Sequence, residues 1–212
     1  MRQVITGQDV PREGELRVAR GTIFTPSARD LARDRGVKIV ETDPFDLEGT
    51  APPERTVALG SDHGGFRMKE RLKPVIESLG FAVRDVGVHE EKAADYPDIA
   101  HAAARLVAGG EARWGVLVDG AGIGSAMAAN KVPGIRAALC YDRASAKNSR
   151  EHNHANVLTL GGRLLTESQA EEVLRTWFAT PWGGGRHQVR IDKITELERR
   201  YSSWTPQPSK SS

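Results

Sequence analysis

The stretch Val116-Leu-Val-Asp-Gly-Ala-Gly-Ile-Gly-Ser-Ala-Met-Ala-Ala-Asn-Lys131 constrains this chain more than any other. An apolar run stops abruptly at Asp119. Glycines follow at 120, 122 and 124, and a run of small residues begins at Ser125. This is the pattern of a buried strand that ends in a backbone-lined pocket and then turns into a helix. An ionisable carboxylate stands at the mouth of that pocket, where it suits proton-transfer chemistry.

The strand belongs to an alternating series. A short apolar strand is read over 56–60. Phe66, Lys69, Leu72, Ile76 and Leu79 then fall at helical spacing, with Gly80 where a helix C-terminus wants it. Pro74 inside that pattern predicts a kink or a late start. A strand over 81–86, a helix over 96–108 ended by Gly109-Gly110, a strand over 114–118 and a short helix over 125–131 come next. They are followed by a strand over 135–141, a polar helix over 143–152 and a buried strand over 157–160. Thr166-Glu-Ser-Gln169 has capping-box spacing ahead of a helix through Phe178, and a last amphipathic helix runs over 188–200. Strands alternating with helices imply α/β architecture with a mostly parallel sheet covered on both faces. Right-handed crossovers make this a Rossmann-like three-layer α/β/α sandwich, whose ligands bind beyond the carboxyl ends of the strands.

Three regions separate by composition. Residues 1–48 form a small head, 49–55 a linker rich in Gly, Pro and polar residues, 56–201 the body, and 202–212 a tail of disordered composition. In the head, Thr25-Pro26 reads as N-cap and first helical residue of a helix closed by Gly36, with a strand over 37–40. Its few apolar residues predict that it packs on the body or on a neighbouring chain. With 212 residues, 39% of them hydrophobic, one sizeable core is expected. A net charge of +2 gives no nucleic-acid surface, and no apolar run approaches membrane-spanning length. The first residues lack the apolar core of a secretory signal, so a cytoplasmic protein is expected. A lone cysteine, Cys140, leaves no internal disulfide or cysteine metal cluster and reads as a core residue.

Four polar clusters lie just after strands or in late loops. Gly60-Ser-Asp-His-Gly-Gly65 puts Asp62 and His63 at the ligand-facing edge; the plain alternative is a helix cap beside a surface histidine. Gly120, Gly122 and Gly124 miss the dinucleotide fingerprint, which needs two residues between its second and third glycines, and no Lys-Ser/Thr follows as in a P-loop. A nucleotide or nicotinamide cofactor is therefore disfavoured. Successive backbone N–H groups ahead of a helix still form an anion cradle that suits a developing oxyanion, unless the turn is purely structural. His152, Asn153 and His154 end the polar helix, where a His/Asn pair can meet sugar hydroxyls, and no zinc-type spacing surrounds them. Arg186 and Arg190 share a face if that segment is helical, and two guanidinium forks there suit a phosphate.

Taken together these blocks resemble the ribose-5-phosphate isomerase B / galactose-6-phosphate isomerase family. They are Gly60 to Phe66, Asp95-Tyr-Pro97, Gly120 to Lys131, Pro133-Gly-Ile-Arg-Ala137, Ser149-Arg-Glu-His-Asn153 and Gly184-Gly-Arg-His-Gln188, in family order across nearly the whole body. The resemblance implies metal-independent aldose–ketose isomerisation of a sugar phosphate through a cis-enediolate, with no cofactor. Ribose 5-phosphate is the first expectation. It implies that Asp62 and His63 touch substrate and that His152 assists ring opening. Asn153 would meet sugar hydroxyls or the enediolate, and Arg163, Arg186 and Arg190 the phosphate. The backbone of Gly120, Ala121, Gly122, Ile123 and Gly124 would hold the enediolate oxygens. A homodimer or homotetramer with sites between subunits follows as well.

The chain departs from the family at the base. Many members carry Cys-Gly-Thr-Gly, with the cysteine moving the proton; here the run is Asp119-Gly-Ala-Gly122. Other members place a glutamate six residues on, where this chain has Ser125. Asp119 is expected to take the role, since a carboxylate is a competent base for enediol chemistry. The alternatives are a capping residue in a non-catalytic sugar-phosphate sensor, or an isomerase shifted to a tetrose or hexose phosphate. The head stands outside the family unit. Its Gly21-Thr-Ile-Phe-Thr-Pro-Ser-Ala-Arg-Asp30 run looks like short segments on some bacterial microcompartment-associated enzymes, which implies a docking or oligomerisation element.

Overall fold

The computed structural model describes residues 4–19, 22–42 and 56–202. The chain divides into two compact units, Met1–Pro52 and Pro53–Ser212. The linker expected over 49–55 and the tail beyond residue 202 lie outside the described residues.

The first unit holds strands β1 (Val4–Ile5), β2 (Glu15–Ala19), β3 (Ile23–Phe24) and β4 (Lys38–Thr42) and helix α1 (Pro26–Asp34). β1 pairs with β3 and β2 with β4, both in parallel. The expected cap is present: the Thr25 hydroxyl oxygen accepts from the Ala28 N–H, and Pro26 begins the helix. Ile5, Val10, Val18, Ala28, Ala32 and Val37 meet in a small core of the head's own. The sequence reading missed β1 and β3, which are too short to show a period. It also missed β2, whose Leu16 and Val18 do alternate toward that core.

The second unit runs β5 (Thr56–Ser61), α2 (Phe66–Ser78), β6 (Ala82–Asp85), α3 (Tyr96–Ala108), β7 (Trp114–Asp119), α4 (Ile123–Ala129) and β8 (Ala137–Leu139). It continues with α5 (Arg143–Glu151), β9 (Val157–Gly161), α6 (Glu167–Ala179) and α7 (Gln188–Tyr201). Five parallel strands lie in the order β6-β5-β7-β9-β8. Helices α3 and α4 pack together against one part of the sheet, and α2, α5 and α6 form a second helical group, giving the expected three-layer sandwich. Every residue of β7 is buried, as a central strand covered on both faces requires. Val57, Val116, Val118, Leu158 and Leu160 from the sheet meet Leu72, Ile76, Val173, Leu174 and Trp177 from the helices in the main core. No helix among the described residues is long and apolar enough to cross a membrane.

Three expectations need correction. Helix α2 starts on time and runs through Pro74, which lies on the exposed side where water can serve the carbonyl left without an N–H. The strand expected over 135–141 is shortened to Ala137–Leu139. Helix α4 begins at Ile123, two residues before the position read from sequence. Gly122, at φ +79°, makes the reversal by itself, so Ile123 and Gly124 already belong to the first turn.

Candidate active site

The strand register brings three chain segments to one edge of the sheet. Ser61 at the end of β5 lies opposite Val118, and Asp119 at the end of β7 lies opposite Gly161 at the end of β9. The loops after β5, β7 and β9 therefore emerge side by side at the carboxyl ends of the central strands, where open α/β sheets bind ligands.

Asp119 is the centre of this edge, with only 5% of its surface exposed. Its Oδ1 accepts the Ala121 N–H at 2.8 Å and also the Gly122 N–H, and its Oδ2 accepts the Ser125 N–H at 2.8 Å. Three amides of the glycine loop thus point at the chain's own carboxylate. A carboxylate offers about four acceptor positions, so one direction on Oδ2 is left. The loop carbonyls are also accounted for. Asp119 and Gly120 accept from Gly162 N and Arg163 N at 2.8 and 3.0 Å, Gly122 from Ala126 N at 3.3 Å, and Ala121 from the Tyr141 hydroxyl at 2.8 Å. All four loop carbonyls from Asp119 to Gly122 and the amides of Ala121 and Gly122 are thus held.

The loop after β5 abuts it. The Asp62 Oδ1 accepts the Gly65 N–H at 2.9 Å, which closes the turn into α2; the carboxylate is buried while His63 beside it is exposed. A Cβ on Gly64 would stand 3.2 Å from the Asp62 carboxylate and 3.3 Å from the Gly120 nitrogen, so Asp62 and the glycine loop share one small space. The exposed Arg163 follows β9, and its aliphatic stem runs past Gly120, 3.7 Å from where a Cβ would sit there.

A second group forms at the far end of α5. His152 is the C-cap residue of that helix, and its Nδ1 lies 3.0 Å from the Asn148 side-chain nitrogen. The Asn153 side chain donates to the Asn148 Oδ1 at 2.9 Å. Gly183 donates to the Glu151 carbonyl at 3.0 Å and has no room for a side chain, so the late glycine-rich loop lies against the end of α5. That contact places His187 on His152, with rings stacked 4.4 Å apart and 9° from parallel. Burial, then the neighbouring His152 and the positive Arg186 and Arg190, hold the His187 imidazole below the usual histidine range. Arg186 stands on a short 3-10 turn, Gly185–His187, and Arg190 in the first turn of α7. The two arginines therefore flank His187 without sharing one continuous α-helix as the spacing had suggested.

Within one chain the expected residues fall into these two groups. Asp62, Asp119 to Gly124 and Arg163 form the first, and His152, Asn153, Arg186 and Arg190 the second. Among the described residues no hydrogen bond, ion pair or ring contact joins them. Three neighbours escaped the sequence reading. His187 lies in the Gly184–Gln188 run and Tyr96 in the Asp95–Pro97 run, where neither carries a chemical signal of its own. Tyr96 lies over Gly124, where a Cβ would come within 2.6 Å of its ring. Tyr141 is far from Ala121 in sequence, and only the fold brings them into contact.

The family model described as Ribose/Galactose Isomerase matches residues 57–194. Ribose-5-phosphate isomerase B of Escherichia coli strain K12 is 40% identical over 146 residues, 69% of this chain and 98% of that protein. The enzyme of the same name from Mycobacterium tuberculosis strain H37Rv is 37% identical over 149 residues, covering 69% of this chain and 92% of its own length. Among solved structures, the ribose-5-phosphate isomerase B of Clostridium thermocellum superposes with a TM-score of 0.68 at 42% identity, covering 69% of this chain and 99% of that one. The type B enzyme of Trypanosoma brucei gives 0.67 at 46% identity, with 68% and 99% covered. By sequence and by fold, this chain belongs to the ribose/galactose isomerase family.

Proposed function

We propose that this protein interconverts an aldose phosphate and a ketose phosphate, with ribose 5-phosphate and ribulose 5-phosphate as the pair, through a cis-enediolate. The observation that carries this reading is the Asp119 carboxylate, buried and aimed by three amides at the end of the central strand. Its Oδ2 keeps one acceptor direction, enough to take a proton from C2 and return it to C1. In this reading His152 assists ring opening and Asn153 meets a sugar hydroxyl or the enediolate. Asp62 and His63 touch the substrate, and Arg163, Arg186 and Arg190 take the phosphate, for which guanidinium forks are suited. The relatives named ribose-5-phosphate isomerase B support the choice of pentose.

The test is proton exchange. Incubated with ribose 5-phosphate in D2O, the protein is expected to place deuterium at C2 while ribulose 5-phosphate accumulates. A panel of four-, five- and six-carbon aldose phosphates fixes the sugar. The same three amide bonds also favour a second reading, in which Asp119 is only the cap of the β7–α4 turn in a non-catalytic sugar-phosphate sensor. Binding of an aldose phosphate with no exchange for any sugar would decide for the sensor.

The site is proposed to be completed between two copies of the chain, as a homodimer or a homotetramer built from dimers. Two observations support this: the site residues form two separate groups within one chain, and α7 leaves Val189, Ile194, Leu197 and Tyr201 exposed in the single chain. Burying a leucine contributes about 1.5–3 kcal/mol. Leu197→Asp is therefore expected to shift the protein toward monomer in sedimentation velocity and to lower isomerase activity with it. A dimer of unchanged affinity would remove α7 from the interface.

The head is proposed as a docking or oligomerisation element, such as those on microcompartment-associated enzymes. It has its own core, and the family match begins only at residue 57. A chain reduced to 53–212 is expected to keep its isomerase rate within about twofold and to lose its place in any larger assembly. Unchanged particle size and cellular distribution would end the docking idea.

A further inference from the structure

The hydrogen bonds of the glycine loop have one weak point. Of its four carbonyls, those of Asp119, Gly120 and Gly122 are served by backbone N–H groups, and only that of Ala121 depends on a side chain, the Tyr141 hydroxyl at 2.8 Å. The same peptide unit carries the Gly122 N–H, which points to the Asp119 Oδ1. In a trans peptide the carbonyl and the N–H point in opposite directions, so a bond on one side fixes the aim of the other. Tyr141 holds the oxygen end of this peptide and Asp119 receives the hydrogen end. If the oxygen were released, the Gly122 N–H bond would be the hydrogen bond left to hold the unit, and Gly122, already at φ +79°, permits the backbone change that a rotation needs.

The phenol is anchored from a rigid place. Cys140 N donates to the Thr159 carbonyl at 3.1 Å, which carries the β8–β9 pairing up to the residue before Tyr141. Asp142, the residue after it, caps α5 by accepting the Ser145 N–H at 2.7 Å. On the other side the Ala121 peptide backs onto Gly161, where a Cβ would stand 2.8 Å from the Ala121 oxygen. Tyr141 itself is 40% exposed, so its ring is not a pillar of the core.

We propose that Tyr141 is a positioning residue for Asp119, its hydroxyl setting the Ala121–Gly122 peptide so that the Gly122 amide keeps the carboxylate aimed. This rests on the reading of Asp119 as the proton-transfer base. The hydroxyl touches neither the sugar nor the phosphate in this role. It acts on kcat through the direction of one carboxylate and leaves substrate affinity alone.

Tyr141→Phe keeps the ring and removes only the hydroxyl. The variant is expected to lose roughly tenfold in kcat, the equivalent of one hydrogen bond's aim, with KM within about twofold of the parent. In the same variant the Gly122 amide proton is expected to move upfield in NMR and to exchange faster with solvent, since its carboxylate partner is lost for part of the time. Placed in an Asp119→Asn background, Tyr141→Phe should cost nothing further in deuterium exchange at C2, because the two residues act as one unit. An unchanged kcat, an unmoved Gly122 amide, or a full additional loss in the double variant would each overturn the proposal. The amide signal needs no turnover. If the parent protein isomerises no aldose phosphate, the functional reading fails and the catalytic role of Tyr141 with it, while a moved Gly122 amide would still establish the clamp.

Discussion

Asp119→Asn is expected to lower the isomerisation rate by roughly 10²- to 10⁴-fold, the span that a positioned general base contributes. The substitution keeps size and shape but removes the basic lone pair. Its effect on the loop is also readable. The asparagine oxygen can still accept the Ala121 and Gly122 amides, but its NH2 group would then face the Ser125 N–H, which now bonds Oδ2 at 2.8 Å. Two donors facing each other in a buried place cost about 1–3 kcal/mol, so the variant should also melt earlier. Asp119→Cys separates the two effects. It restores the thiol found in many family members while giving up the three amide bonds. Measurable isomerisation in Asp119→Cys, with Asp119→Asn inactive at equal folded fraction, would mark Asp119 as a base. Full activity in Asp119→Asn would leave it a cap.

Gly65→Ala should produce the largest loss of stability among single methyl additions near the site. A Cβ there would stand 2.5 Å from the Val118 carbonyl carbon and closer still to its oxygen. The obstacle is backbone of the central strand β7, which cannot swing aside as a flexible side chain would. Overpacking against such a wall falls at the upper end of the usual range, about 3 kcal/mol, which for a chain of this size lowers the melting temperature by roughly 6–12 °C. The damage should reach the site too, because the Gly65 N–H holds the Asp62 carboxylate at 2.9 Å. Calorimetry and activity are expected to fall together. A melting temperature within a degree or two of the parent would mean that α2 can lift from β7 at little cost.

Much of this architecture was legible from local chemistry. The order of strands and helices follows from hydrophobic period, the α6 and α1 starts from Thr166 and Thr25 as caps, and the burial of β7 from its unbroken apolar run. The start of α4 was read late because a positive φ at Gly122 cannot be told from composition: glycine permits the reversal without announcing where it occurs. The strands β1 and β3 of the head were invisible, since two residues have no period.

The candidate site divides along the same line. Asp62, Asp119, His152, Arg186 and Arg190 were readable as candidates because they sit in blocks with chemical meaning of their own, whereas Arg163 came only with the family resemblance. Their relations were not. Sequence alone determined that a carboxylate stands at the mouth of a glycine loop on a parallel α/β sheet, because an apolar run, a break and small residues admit few other arrangements. The amide bonds onto Asp119 span at most six residues, within reach of the capping alternative; only the tertiary structure decided that Tyr141 holds the Ala121 carbonyl and that His187 stacks on His152. The physical reason is range. Helix, strand and cap are chosen by neighbours a few residues apart, whereas a hydrogen bond's direction at the site depends on how segments 20 or more positions apart in the chain are packed.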